Sequence, residues 1–300
     1  MLQINTNTQF QISELISSSL IGNNSKEIER IYQQLYSYSI DQKNSIDLSN
    51  KYMLKEPYLS HVLAYNDSIT TMAIDLPVFY KSSGNNKPTI MICAMDALPP
   101  KPDSHHWNNK DFNFKNDIGL WAPFSIIDDW KSPTGSMKSN IPFFAELLKN
   151  FNLYITDIYK LFFRYDYSNQ LINSNQISNY TDLKNEYQEN IHGYILSKEI
   201  EIIQPDCIVT LGNNSRNTLI SINENQYFHK QSLYGWMDDL QSYYWNKSIP
   251  IISSPHISGA ANGAKSKILN NEKYSEIKAK YQNERLAMII AKKIGEAKSI

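Results

Sequence analysis

The sequence predicts an α/β fold, a three-layer α/β/α sandwich with a central four-stranded parallel sheet and an N-terminal helical extension. Three observations lead there. Four short apolar runs rich in β-branched residues stand out: Thr89–Ala94, 153–158 (LYITDI), Cys207–Leu211 and 249–253 (IPIIS). They have strand length and little alternation, as expected for strands buried on both faces. Segments with helical spacing separate them, and strand–helix alternation implies a parallel sheet covered by helices. The 300 residues, 41% of them hydrophobic and 20% charged, suffice for a sizeable core.

The elements follow in chain order. Ile12, Leu15, Ile16 and Leu20 are spaced at three and four, and Ile28, Ile31, Tyr32 and Leu35 repeat that spacing after Gly22-Asn23-Asn24. Residues 1–70 therefore read as a helical extension packed on a domain spanning 71–300. Ser82-Ser83-Gly84-Asn85-Asn86 marks a loop before the first strand. Residues 142–148 predict a helix with Pro142 near its start, capped from Ser139-Asn140. Tyr187, Ile191, Tyr194, Ile195 and Ile202 form an apolar stripe that ends before Pro205. Residues 214–222 and 274–294 predict two more helices, the last lysine-rich on its outer side.

Composition excludes several classes. A formal net charge of −1 means that any nucleic-acid surface is a local patch and not a global field. No run approaches the length of a transmembrane helix. The start MLQINTNTQF lacks the basic and apolar parts of a signal peptide, so cytoplasmic residence is expected. Two cysteines, Cys93 and Cys207, cannot build a four-cysteine metal site, and both lie in apolar runs that read as core strands. Adjacent His105 and His106 near Asp103 do not share a helix face and have no evident third ligand, so they read as a solvated loop. Neither a metal nor another cofactor is expected.

Open parallel sheets bind ligands beyond the carboxyl ends of their strands. Here those stretches are 95–100 (MDALPP), then Asp157 with Tyr159 and Lys160, then Gly212-Asn213-Asn214-Ser215, then Pro255-His256-Ile257-Ser258-Gly259. Two carboxylates, a glycine turn and a histidine are thus expected around one crevice.

In order and spacing these stretches resemble the uracil-DNA glycosylase superfamily, over roughly residues 85–270. AMDAL at 94–98 resembles the water-activating loop written GQDPY in the best-known branch. GLWAPFSI at 119–126 resembles the segment whose phenylalanine stacks on a flipped base, with Phe124 in that place. LYITDIYK at 153–160 and QPDCIVTLG at 204–212 are similar to VYITNVVK and IPDVIVTLG of another branch, and HISGAA at 256–261 sits where the family has HPSPLS. The cluster cysteines of the iron–sulfur branch are absent.

The resemblance implies a monofunctional DNA glycosylase that acts as a monomer on DNA, with no membrane and no metal. Breaking an N-glycosidic bond creates an oxocarbenium-like sugar and an anionic base. Asp96 would orient water towards C1′, and His256 would stabilise charge on O2 of the base. Ser258 matches a serine that contacts a DNA phosphate, and Gly259, Lys265 and Lys267 extend it to a small phosphate site. Ile257 replaces a proline of the family, and Gly259 and Ala260 are small where an intercalating wedge is expected.

Two departures concern the base. Asp157 stands where the uracil enzymes carry asparagine, and an ionised aspartate only accepts hydrogen bonds. It would oppose O4 of uracil but accept from the N4 amine of cytosine; protonation of Asp157 or of cytosine N3 completes that pair. A register slip by one residue would instead turn Thr156 to the base and leave Asp157 as a turn cap. Leu98 replaces the tyrosine that excludes 5-substituted pyrimidines, with Ala97 before it. Together these imply a modified cytosine, compatible with the defence glycosylases of this superfamily that remove glucosylated hydroxymethylcytosine from phage DNA. Uracil repair, or a DNA- or nucleotide-binding protein that has lost catalysis, are the alternatives.

Overall fold

The computed structural model describes residues 6–21, 25, 26, 28–30, 32, 69–84, 86–95, 119–121, 137–165, 171–172, 192–224, 243–258 and 261–298. The protein is a mixed α/β structure built on a sheet of mostly parallel strands. All four predicted runs are strands: β3 (Thr89–Ala94), β5 (Asn152–Asp157), β8 (Cys207–Leu211) and β10 (Ile249–Ser254). They lie side by side in the order β5-β3-β8-β10, each parallel to its neighbour.

The sheet is wider than the expected four strands. β2 (Val78–Tyr80) and β9 (Tyr243–Trp245) pair antiparallel with β5 and β10, making six. Three residues are too few to register as a periodic pattern. β9 turns into β10 through Asn246, Lys247 and Ser248; the first two have positive φ angles of 46° and 60°, and Ser248 N–H closes the turn on Trp245 O at 3.0 Å. A second sheet also escapes the prediction: β1 (Ile69–Asp75), β4 (Gly119–Trp121), β6 (Leu161–Tyr165) and β7 (Leu171–Ile172), in the order β4-β1-β6-β7. β1 begins just inside the stretch read as helical extension.

Helix α1 (Thr6–Ile16) continues as a π-helical turn at Ser17–Ile21. Ile12, Leu15, Ile16 and Leu20 turn inward as their spacing predicts and join one hydrophobic cluster with Ile28, Tyr32 and the strands. Tyr32 donates its hydroxyl to the Pro77 carbonyl at 2.9 Å. Helix α2 (Met137–Leu148) starts earlier than predicted, with Pro142 inside it, where the ring nitrogen cannot donate to the preceding turn. α3 (His192–Ile203) packs on α1 and stops at Gln204, whose φ of 48° ends the helix before Pro205.

α4 (Asn213–Glu224) follows β8 directly. α5 (Asn262–Leu269) packs on α6 (Gln282–Lys298), which also covers α2 and β10. The last helix begins after its predicted start because Tyr274 closes a separate 3₁₀ turn, Glu272–Tyr274, capped by the Asn271 side chain.

Candidate functional site

The carboxyl ends of the four parallel strands lie level. Cys93 pairs with Thr156 on one side and Thr210 on the other, and Ala94 pairs with Asp157. The β3–β5 ladder runs on past the strands, with Ile158 N–H donating to Ala94 O and Tyr159 N–H to Met95 O, both at 3.0 Å. Gly212 N–H reaches Ser254 O at 2.7 Å and ties β8 to β10. Asp157 and His256 thus issue from strands three spacings apart, roughly 14 Å between axes. Asp96, Leu98, Phe124 and Gly259 lie outside the described residues.

At the β10 end, His256 is half-buried beside Gly212. Gly212 adopts a φ of 93°, and a Cβ on it would lie 3.6 Å from the His256 Cβ. Two donors converge on the His256 Nδ1: the Ser258 hydroxyl at 2.7 Å and the Ser258 amide at 3.1 Å. An amide N–H can only donate, so Nδ1 carries the lone pair and the ring proton sits on Nε2. Burial lowers the imidazole pKa, and the charge of Lys265 lowers it further. His256 is therefore a neutral ring with one N–H to offer.

The loop around it is held from beneath. The Ile257 side chain is buried in the core. Its carbonyl accepts from Lys265 Nζ at 3.1 Å and from Asn283 Nδ2 at 2.9 Å, and Lys265 Nζ also reaches Asn283 Oδ1 at 3.2 Å. This corrects the phosphate-site expectation for two residues. Lys265 is buried and bonded to the loop backbone, and the Ser258 hydroxyl faces the imidazole; Lys267 alone of the two lysines is exposed, on α5. The anchored side chain and doubly bonded carbonyl hold the loop at Ile257.

At the β5 end, Asp157 is fully buried and its amide donates to Asp75 Oδ2 at 3.2 Å. Thr156, the alternative in the sequence, belongs elsewhere. Its hydroxyl lies 3.3 Å from both Glu199 carboxylate oxygens and also receives the Lys160 ammonium. Successive strand residues face opposite ways, so Asp157 points away from that cluster on α3.

Around Glu199 the polar groups are densely connected. Lys160 Nζ pairs with Glu199 Oε1 at 2.9 Å, both side chains at 0% exposure, and the Tyr154 hydroxyl donates to the same oxygen at 3.0 Å. Lys160 N–H donates to His192 Nδ1 at 3.1 Å, and Asp75 N–H to Lys160 O at 2.8 Å. Burial pushes Asp75 up to about 7, with Lys160 opposing it, and raises Glu199 against the same lysine. Burial, with Lys160 second, holds His192 neutral at about 3.

Of the Glu199 cluster, Lys160 and Thr156 are the residues that the sequence alone marks. Asp75 ends the strand that the β-branched Ile69-Thr70-Thr71 opens and signals. Glu199, His192 and Asn283 sit among polar neighbours and carry no such signal. Both cysteines are buried and outside any disulfide, and burial raises the Cys93 thiol pKa. Among the described residues, no cluster of three or more His, Cys, Asp or Glu could hold a metal, and no helix is long and apolar enough to cross a membrane.

The arrangement offers a fixed neutral N–H donor at one end of a row of strand tips and a buried carboxyl at the other. No protein-family model and no curated protein matches the chain.

Proposed function

We propose that the chain is a monofunctional DNA glycosylase of α/β/α-sandwich architecture that hydrolyses the N-glycosidic bond of a flipped pyrimidine, a modified cytosine such as glucosylated hydroxymethylcytosine. The observation that carries this reading is the His256 ring, neutral and with its proton on Nε2. Such a ring can hydrogen-bond an oxygen on which charge is gathering without first giving up a proton. An imidazolium at the same place would be a charged group in a half-buried loop. The level strand tips add to it, since Asp96 directly follows Met95, whose carbonyl is bonded to the segment after Asp157.

In this reaction the flipped base stacks on Phe124 against the Leu98 wall, and Asp157 meets its Watson–Crick edge. Asp96 directs water at C1′ and accepts its proton as the bond to the base breaks. The bonding electron pair leaves with the base, and His256 Nε2–H bonds O2, where that charge collects. The product is an abasic site without strand cleavage, and the reaction draws on no metal or other cofactor. Lys267 remains the described candidate for a phosphate contact, and a single chain supplies every group named.

The test is single-turnover incubation with duplexes carrying uracil, cytosine, hydroxymethylcytosine or its glucosylated form, with the free base identified by mass. Release of a cytosine derivative over uracil is expected, and Asp96→Ala should slow it by about 10² to 10⁴. Release of uracil alone would make this a repair enzyme. Binding to abasic-site DNA without release from any duplex would make it a non-catalytic binder.

A further inference from the structure

Lys265 and Asn283 come from different helices, are both buried, and meet on one backbone carbonyl between His256 and Ser258. Every hydrogen bond of the Lys265 ammonium goes to a neutral oxygen, Ile257 O or Asn283 Oδ1. No carboxylate among the described residues pairs with it, and burial lowers its pKa without an opposing negative charge. Among the described residues nothing neutralises its positive field. The Lys265 side chain itself has little contact with solvent, so its field is screened less than that of an exposed lysine. Among the described residues Lys265 is the charged group that bears on His256: Gly212 stands on the β8 side, Ser258 on its own loop, and neutral Asn283 comes from α6.

We propose that Lys265 and Asn283 form a positioning clamp for His256, fixing the loop that bonds Nδ1 and using one unneutralised buried ammonium to keep the ring a neutral Nε2–H donor. The proposal rests on the reading of His256 as the group that meets the base, but it concerns the ring itself and is measurable without any reaction. Lys265 is thus a positioning residue. It acts through His256, and its charge matters as much as its hydrogen bonds.

The deciding experiment is a pH titration of the His256 ring nitrogens by long-range ¹H–¹⁵N NMR on the full chain, with the resonance assigned by its loss in His256→Gln. In the parent protein Nδ1 should show the shift of an unprotonated nitrogen. Removing the charge in Lys265→Met should raise the ring's titration midpoint by about one pH unit. Lys265→Arg, which keeps the charge, should leave the midpoint low. Asn283→Asp provides a second route if Lys265→Met does not fold: it places a carboxylate on the ammonium, and the midpoint should rise as it does in Lys265→Met. Where base release is measurable, the acid limb of its pH profile should move with the midpoint, while binding to abasic DNA holds.

An unmoved midpoint in both Lys265→Met and Asn283→Asp would overturn the clamp. A moved midpoint in a protein that releases no base would uphold the clamp and remove the glycosylase reading instead.

Discussion

Two buried lysines support the two ends of the strand-tip row, and they do so differently. Lys160, at the β5 end, is paired at 2.9 Å with Glu199, and neither side chain meets solvent. Lys265, at the β10 end, donates only to neutral oxygens. Two lysines with little solvent contact thus sit in different electrostatic settings. Glu199 offsets part of the first charge and with Lys160 fixes Thr156, Tyr154 and the start of the segment after β5, while Lys160 still adds to burial in lowering His192 and favours the ionised form of Asp75. The second charge stays available to the ring beside it. A nearer counter-charge reduces a buried lysine's pull on its neighbours without removing it.

The sharpest way to break this contrast is to unpair Lys160. Glu199→Leu leaves an ammonium buried without a counter-charge, and such losses run to about 3–5 kcal/mol. Urea denaturation should show a drop of that size, and Lys160→Met combined with Glu199→Leu should recover most of it because no charge is then stranded. Lys265→Met strands no charge and removes hydrogen bonds alone, a loss of about 1–3 kcal/mol. Should Glu199→Leu prove no more costly than Lys265→Met, the two lysines would not differ in the way described.

Asp75 reports on how much of the Lys160 field is left over. Lys160 favours its ionised form, Glu199 opposes that, and burial outweighs both to bring the carboxyl to about 7 from an ordinary 3.8. The folded state therefore holds a proton that the unfolded chain releases earlier. The resulting stabilisation is complete below 3.8 and is lost as pH rises through about 7. Asp75→Asn mimics the protonated acid and keeps an oxygen for the Asp157 amide. Its stability relative to the parent should rise steadily across that window and level off above it. A difference independent of pH would mean that Asp75 is held ionised by a Lys160 charge that Glu199 had not cancelled.

Much of the frame was legible in the sequence. Strands covered on both faces leave uninterrupted apolar runs, so β3, β5, β8 and β10 were visible with bounds nearly right. Edge strands as short as β2 and β9 leave no such trace, and β1 was absorbed into a region whose earlier part is helical. At the site, His256 and Asp157 stood out because polar residues just past apolar runs mark strand ends.

The supports under them did not stand out. Glu199 lies in a helix between Lys198 and Ile200, and a carboxylate facing inward reads there like one facing water. Lys265 was picked out, but as a cation offered to phosphate. Which way a long side chain turns depends on Ile257 and Asn283, the latter distant in sequence, and no local pattern encodes that meeting.

Gly212→Ala has the smallest expected effect and separates contact from charge at the β10 end. The φ of 93° penalises any side chain, a cost of about 1–2 kcal/mol in the left-handed region. The added methyl itself meets the His256 Cβ at 3.6 Å, an ordinary van der Waals distance that requires no displacement. Thermal denaturation should thus record a modest loss, while the His256 midpoint and its Nδ1 shift stay where the parent protein has them, because Lys265, Asn283 and Ser258 are untouched. A midpoint that rises in Gly212→Ala as far as in Lys265→Met would assign the neutrality of the ring to packing against the β8 turn, and the buried ammonium would lose its distinct role.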